Sequence, residues 1–79
     1  MPYTSRDFGA DILVEIDNGY DTVRIARWAF QNYHRPDLSN EDLKDKILQV
    51  AVMEEGPEFE LSEDALKQFA LQLIRSDPR

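Results

Sequence analysis

The sequence predicts an all-α fold, a compact domain of four helices. Three observations lead to it: four helix-capping patterns, glycine or proline after the first three helical stretches, and apolar residues at helical spacing between them. The chain has 79 residues, which is enough for one small domain with one core. We therefore treat residues 1–79 as a single helical domain.

The first helix is predicted from Thr4 to Asp17. Thr4 is placed as its N-cap, Asp7 completes a capping box, and Tyr3 and Phe8 have the spacing of a hydrophobic staple. The apolar residues at i, i+4 and i+8 are expected to form its core face: Phe8, Ile12 and Ile16.

The second helix is predicted from Asp21 to Arg35, because Asp21 is a suitable N-cap and Pro36 follows the last residue. At 100 degrees per residue one side of it collects the residues expected in the core: Thr22, Ala26, Ala29, Phe30 and Tyr33. Trp28 falls on another side, which it shares with Arg24, Gln31 and Arg35.

Residues 12–25, with the sequence ILVEIDNGYDTVRI, also allow a different interpretation. Two β-branched runs flank Asn18-Gly19, a strong hairpin signal, and a hairpin there would pair Val14 with Val23. The alternative is therefore an α+β fold with an N-terminal hairpin around Asn18-Gly19. We favour two helices because the helical pattern after residue 22 continues through ARWAFQNY without a break.

The last two helices, predicted from Ser39 to Glu55 and from Ser62 to Arg75, begin with the similar stretches LSNEDL and LSEDAL. Ser39 and Ser62 are placed as N-caps, each preceded by a leucine at staple spacing. The fourth helix has the usual single apolar side: Leu66, Phe69, Ala70, Leu73 and Ile74.

The third helix is apolar on two sides. Its main stripe consists of Leu43, Ile47, Val50 and Ala51, whereas Leu48 and Val52 lie opposite. A helix that is apolar on two sides is usually buried or shared with a partner. We expect the third helix at the centre of the domain, and the alternative is that Leu48 and Val52 form the seam of a homodimer.

The charge balance narrows the classes of partner. Sixteen acidic residues against nine Lys and Arg give a net charge of −7, which disfavours nucleic acid or an anionic membrane. Six of the acids, and no base, lie between residues 54 and 64. The chain has no cysteine, and its N-terminus lacks the basic flank and apolar run of a secretory signal, so we expect a cytoplasmic location.

Two groups of residues are candidates for binding a partner protein. The first is the acidic segment with its one large apolar residue: Glu55, Glu58, Phe59 and Glu60. The second is Trp28 with Arg24 and Arg35, because tryptophan and arginine are enriched in binding hot spots. The competing interpretations are that the acids are merely solvated and that Trp28 packs under a neighbouring helix.

Nothing in the sequence predicts catalysis, a cofactor or a metal. The carboxylates of Asp7, Asp11 and Glu15 recur every four residues, and we expect them to face Arg24 or Arg27 rather than to bind a metal ion. His34 is the only histidine, and there is no cysteine nucleophile or glycine-rich phosphate loop. We therefore expect a protein that is not an enzyme.

The run MEEGPEFELSEDA, residues 53–65, resembles the acidic, Glu-Phe-containing loop that precedes the third helix of acyl carrier proteins. The resemblance covers less than a third of the chain, and it departs from that family at the attachment site. The family carries its phosphopantetheine on the serine of Asp-Ser-Leu, whereas this chain has Asp37-Leu38-Ser39. Carrier function is therefore a minor alternative.

Small acidic helical domains are also the form of many immunity proteins and antitoxins, which cover a basic partner. The sequence thus predicts a small acidic, non-catalytic module that binds a basic protein surface, either in that manner or as a regulatory adaptor. The main alternative is a structural homodimer through Leu48 and Val52.

Overall fold

In the computed structural model, which describes residues 3–38 and 41–76, the chain folds into four α-helices. They are α1 (Ser5–Asp17), α2 (Thr22–Tyr33), α3 (Glu41–Ala51) and α4 (Glu63–Ser76), and two short 3-10 helices, Val52–Glu55 and Pro57–Phe59, link α3 to α4. The described ranges contain no β-strand. The all-α prediction is confirmed, and the alternative with an N-terminal hairpin is wrong.

The predicted helix starts depend on local hydrogen bonds, and three of them are present. Thr4 Oγ1 accepts from the Asp7 N–H at 3.1 Å and the Asp7 carboxylate accepts from the Thr4 N–H, which completes the capping box. The Asp21 carboxylate accepts from the N–H groups of the first turn of α2, and Ser62 Oγ accepts from the Ala65 N–H. The fourth predicted cap, Ser39, lies outside the described residues.

The Asn18-Gly19 turn separates two helices instead of joining two strands. Asn18 caps α1 through its N–H, which bonds to the Val14 carbonyl at 3.1 Å, and Gly19 takes a φ of +119°. That left-handed angle suits glycine, which has no Cβ to clash. Hairpin pairing is absent because the backbone groups on both sides are already bonded within α1 and α2.

The four helices form two closely packed pairs, α1 with α4 and α2 with α3. The core between the pairs includes Phe8, Ile12, Ile25, Leu43, Ile47 and Leu66, none of which has measurable exposure. Leu48 and Val52 are half-buried, and the close backbone packing of α3 is with α2. The expectation that α3 lies at the centre of all four helices is therefore wrong.

The core face of α2 also differs from the prediction. Phe30, expected in the core, is 52% exposed, whereas Ile25 and Asn32 are buried beside Ala26 and Ala29. The reason is tertiary: one flank of α2 meets α1 through Trp28, which rotates Phe30 toward solvent. Two helix ends also differ from the prediction. α2 ends at Tyr33 instead of Arg35, and α3 ends at Ala51, after which the chain continues as a 3-10 helix to Glu55.

Candidate partner-binding surface

Two segments that carry many carboxylates and are far apart in the sequence lie next to each other. The 3-10 helix at residues 52–55 packs on α2, and Arg27 pairs with Glu54 at 3.3 Å. The Tyr20 hydroxyl, just before α2, donates to the Leu61 carbonyl. These contacts bring the predicted acidic segment beside the turn between α1 and α2, which carries Asp17 and Asp21.

We call this surface the acidic end. It comprises the exposed acids of the α1–α2 turn and of the α3–α4 connection: Asp17, Asp21, Glu55, Glu58, Glu60 and Asp64. None of the six forms an ion pair within residues 3–38 and 41–76, although Asp21 caps α2. Phe59 lies within this surface and is 48% exposed.

The electrostatic effect of these acids is visible at Tyr20. Partial burial raises the pKa of the Tyr20 hydroxyl above its ordinary value, and the nearby carboxylates of Glu60 and Glu63 raise it further. Both carboxylates disfavour the negative charge that the Tyr20 hydroxyl acquires when it ionises. The sequence analysis identified residues 54–64, but it missed Asp17 and Asp21, because their proximity to that segment depends on how the helices pack.

Arg24, predicted to bind a partner, is engaged within the protein. Its guanidinium forms an ion pair with the Glu15 carboxylate and donates to the Glu15 and Gly19 carbonyls. It thereby satisfies carbonyl groups at the C-terminal end of α1, which has no basic residue in its own last turn. The expected pairing of the α1 carboxylates with Arg24 is confirmed for Glu15.

Arg35, the second predicted arginine, lies over the ring of Tyr3, with its guanidinium carbon 4.0 Å from the ring centroid. It also binds both carboxylate oxygens of Asp37, at 2.9 and 3.0 Å. This hydrogen-bonded pair raises the pKa of Arg35 and lowers that of Asp37. Tyr3 in turn donates to the Asp11 carboxylate at 2.6 Å, so Arg35 belongs to a local network and not to the surface around Trp28.

Trp28 packs against a neighbouring helix and is also accessible to a partner, so both interpretations of the sequence apply to it. Its indole stacks on Phe8 of α1, with ring centroids 5.5 Å apart and an interplanar angle of 13°. Trp28 also lines an open groove of about 400 Å³ on the outer face of α2. We call this the α2 groove, and its lining residues are Asp21, Val23, Arg24, Arg27, Trp28 and Gln31.

The other predicted features have separate locations. Asp7 and Asp11 serve the capping box and the Tyr3 hydroxyl, and the described part of the chain has no group of three acidic, histidine or cysteine residues placed to hold a metal ion. Leu48 and Val52 are half-buried, and the homodimer through them stays a prediction. No helix in the described ranges is both long and apolar enough to cross a membrane.

Comparison of the chain with protein families, with curated proteins and with solved structures finds no match. Functional inference therefore depends on the two surfaces described above. One is the acidic end, whose carboxylates have no ion-pair partner in the described ranges, and the other is the α2 groove, which places an indole beside two guanidinium groups.

Proposed function

We propose that the protein is a non-catalytic interaction module that binds a basic protein surface through its acidic end. The observation that carries the proposal is that two acidic segments, far apart in the sequence, lie side by side and expose carboxylates without ion-pair partners among the described residues. A surface with an excess of negative charge attracts a positively charged partner over about 10 Å at physiological salt. The proposal includes a cytoplasmic location, which suits a chain without cysteine.

Binding would proceed in two stages. The carboxylates of Glu55, Glu58 and Glu60 accelerate encounter with a basic partner, since electrostatic complementarity acts mainly on the association rate. Phe59 then provides apolar contact area, because about half of its side chain is accessible before any partner binds. Exposed aromatic residues surrounded by polar groups are typical anchors of protein interfaces.

The test compares capture of partners from a lysate of the source organism by immobilised protein at low and high salt. The acidic-end variant carries Glu58→Gln and Glu60→Gln. The control variant carries Glu41→Gln and Asp45→Asn, which removes the same charge from exposed positions on α3. We expect a basic protein that is retained at low salt by the wild type and the control, and that the acidic-end variant loses.

The captured partner then allows a kinetic measurement. The acidic-end variant should associate about threefold or more slowly at low ionic strength, and its rate should depend less on salt than that of the wild type. Equal association rates for the two double variants would refute the acidic end as the contact surface. A partner whose binding is unaffected by salt would refute electrostatic capture as the mechanism.

A further inference from the structure

The α2 groove differs in chemistry from the acidic end that it adjoins. Every described residue that lines it belongs to α2 or to the N-cap of that helix, so no second element of the described ranges covers a ligand bound there. Free small molecules are usually held in pockets that surround most of their surface. A one-sided groove suits a side chain or short segment that remains part of a larger partner.

Arg27 gives the groove a binding group for carboxylates. Its side chain is 73% exposed, and its one ion pair among the described residues joins Nε to Glu54 at 3.3 Å. The two terminal NH2 groups therefore remain unbonded in the described part of the chain. Guanidinium groups bind carboxylates through paired, parallel hydrogen bonds, for which these two nitrogens are suited.

Trp28 gives the groove a fixed apolar surface. Stacking on Phe8 holds the indole in place before any ligand arrives, which lowers the entropy lost on binding. Val23 lines the same groove and is 43% exposed. Gln31, one turn beyond Arg27, adds an amide that can donate to or accept from a peptide backbone.

From this arrangement we propose that the α2 groove binds a peptide segment of a protein in which an acidic side chain lies next to an aromatic or large apolar one. The carboxylate pairs with the terminal nitrogens of Arg27, and the apolar side chain packs on Trp28 and Val23. The groove shares one carboxylate with the acidic end, that of Asp21, which accepts from the N–H groups of Val23 and Arg24. The interaction goes beyond the proposed function, because its binding groups are those of Arg27, Trp28 and Val23 and it selects the opposite charge.

Trp28 is the only tryptophan, so its fluorescence and indole N–H resonance report directly on the groove. The probes are three acetylated, amidated pentapeptides of sequence Gly-X-Phe-Leu-Gly, in which X is Glu, Gln or Lys. Titrations run at about 150 mM salt, which limits long-range repulsion by the net negative charge. We expect saturable shifts of the Trp28 signals by the Glu peptide, and about threefold weaker binding of the Gln peptide.

Two variants should act in opposite directions. Arg27→Gln should abolish the preference for Glu over Gln, whereas Glu54→Gln should strengthen binding of the Glu peptide by releasing Arg27. Arg75→Gln and Glu41→Gln make the same charge changes outside the groove and the acidic end, and they should leave the preference unchanged. Arg27→Gln and Glu54→Gln each remove the same exposed ion pair, so we expect the fold to be retained, which thermal unfolding followed by circular dichroism checks.

Three results would overturn the proposal. The first is the absence of a saturable Trp28 shift, and the second is equal affinity for the Glu and Gln peptides in the wild type. The third is binding of free 3-phenylpropionate as tightly as the Glu peptide, which would assign the groove to a small acid instead of a protein segment. None of these measurements involves a basic partner, so failure here is distinguishable from failure of the acidic-end proposal.

Discussion

Replacing Gly9 with alanine should destabilise the protein, although the same change in most helices stabilises them. Gly9 lies within α1, where α1 and α4 come into direct contact. A Cβ placed there would lie 2.6 Å from the Ala70 carbonyl oxygen and 2.9 Å from Ile74 Cγ1. The first of these atoms belongs to the backbone of α4, so it cannot move without shifting the helix.

The expected magnitude is the difference between two effects. Alanine is favoured over glycine inside a helix by about 1 kcal/mol. Overpacking of a core costs about 1–3 kcal/mol, and the backbone contact places this case near the upper limit. The net loss in free energy of unfolding should therefore be about 2 kcal/mol, which corresponds to a decrease in Tm of about 10 °C for a domain of this size.

The assay is urea denaturation followed by circular dichroism and by Trp28 fluorescence. Ala10→Gly is the matched control, because Ala10 is exposed on the same helix and its substitution measures helix propensity without a packing contact. We expect the control to lose about 1 kcal/mol and Gly9→Ala to lose more. A Gly9→Ala protein more stable than the wild type would show that α1 and α4 are not in close contact here.

Two further predictions concern the hydrogen bonds that position the helices. Burial and the hydrogen bond to Asp11 raise the pKa of Tyr3 far above its ordinary value of about 10, so its contribution to stability is complete below that pH and is lost as pH rises. Tyr3→Phe should cost about 1 kcal/mol at pH 7. Between pH 9 and 11 its urea midpoint should decrease less steeply than that of the wild type, with Tyr20 accounting for the remaining slope. Parallel curves of midpoint against pH for the two proteins would contradict this. Ser62→Ala should cost about 1 kcal/mol through loss of the α4 cap, and Ser62→Asp should retain most of the stability of the wild type. Equal unfolding midpoints for the wild type and both variants would show that the cap is unimportant.

The helices were predictable because their signals are local. Thr4, Asp21 and Ser62 cap the helices that the sequence assigns to them, through hydrogen bonds that span two or three residues. Residues 12–25 were ambiguous between helices and a hairpin, and Asn18 decides for the helical interpretation, because its φ of −79° is helical whereas a type I′ hairpin turn needs a positive angle there. The end of α3 was less predictable, because contact with α2 favours 3-10 geometry over residues that have no local stop signal until Gly56.

The candidate surfaces were predictable only in part. The exposed acids between residues 54 and 64 were evident from the sequence, since consecutive charged residues in a connection remain in water. Arg24 and Arg35 were candidates for contact with a partner, yet each has an intramolecular carboxylate. Among Arg24, Arg27 and Arg35, the arginine whose terminal nitrogens remain unbonded in the described residues is Arg27, and no local pattern distinguishes it from the other two.

The sequence by itself determined the fold class, three of the helix starts and the negative charge of the α3–α4 connection, because each depends on residues close together in the chain. Only the tertiary structure decided that Phe30 faces solvent, that Trp28 stacks on Phe8 and that Asp17 and Asp21 extend the acidic end. Those outcomes depend on the rotation of each helix about its axis and on its neighbours. The packing of side chains that are far apart in the sequence determines the rotation of each helix and which elements surround it.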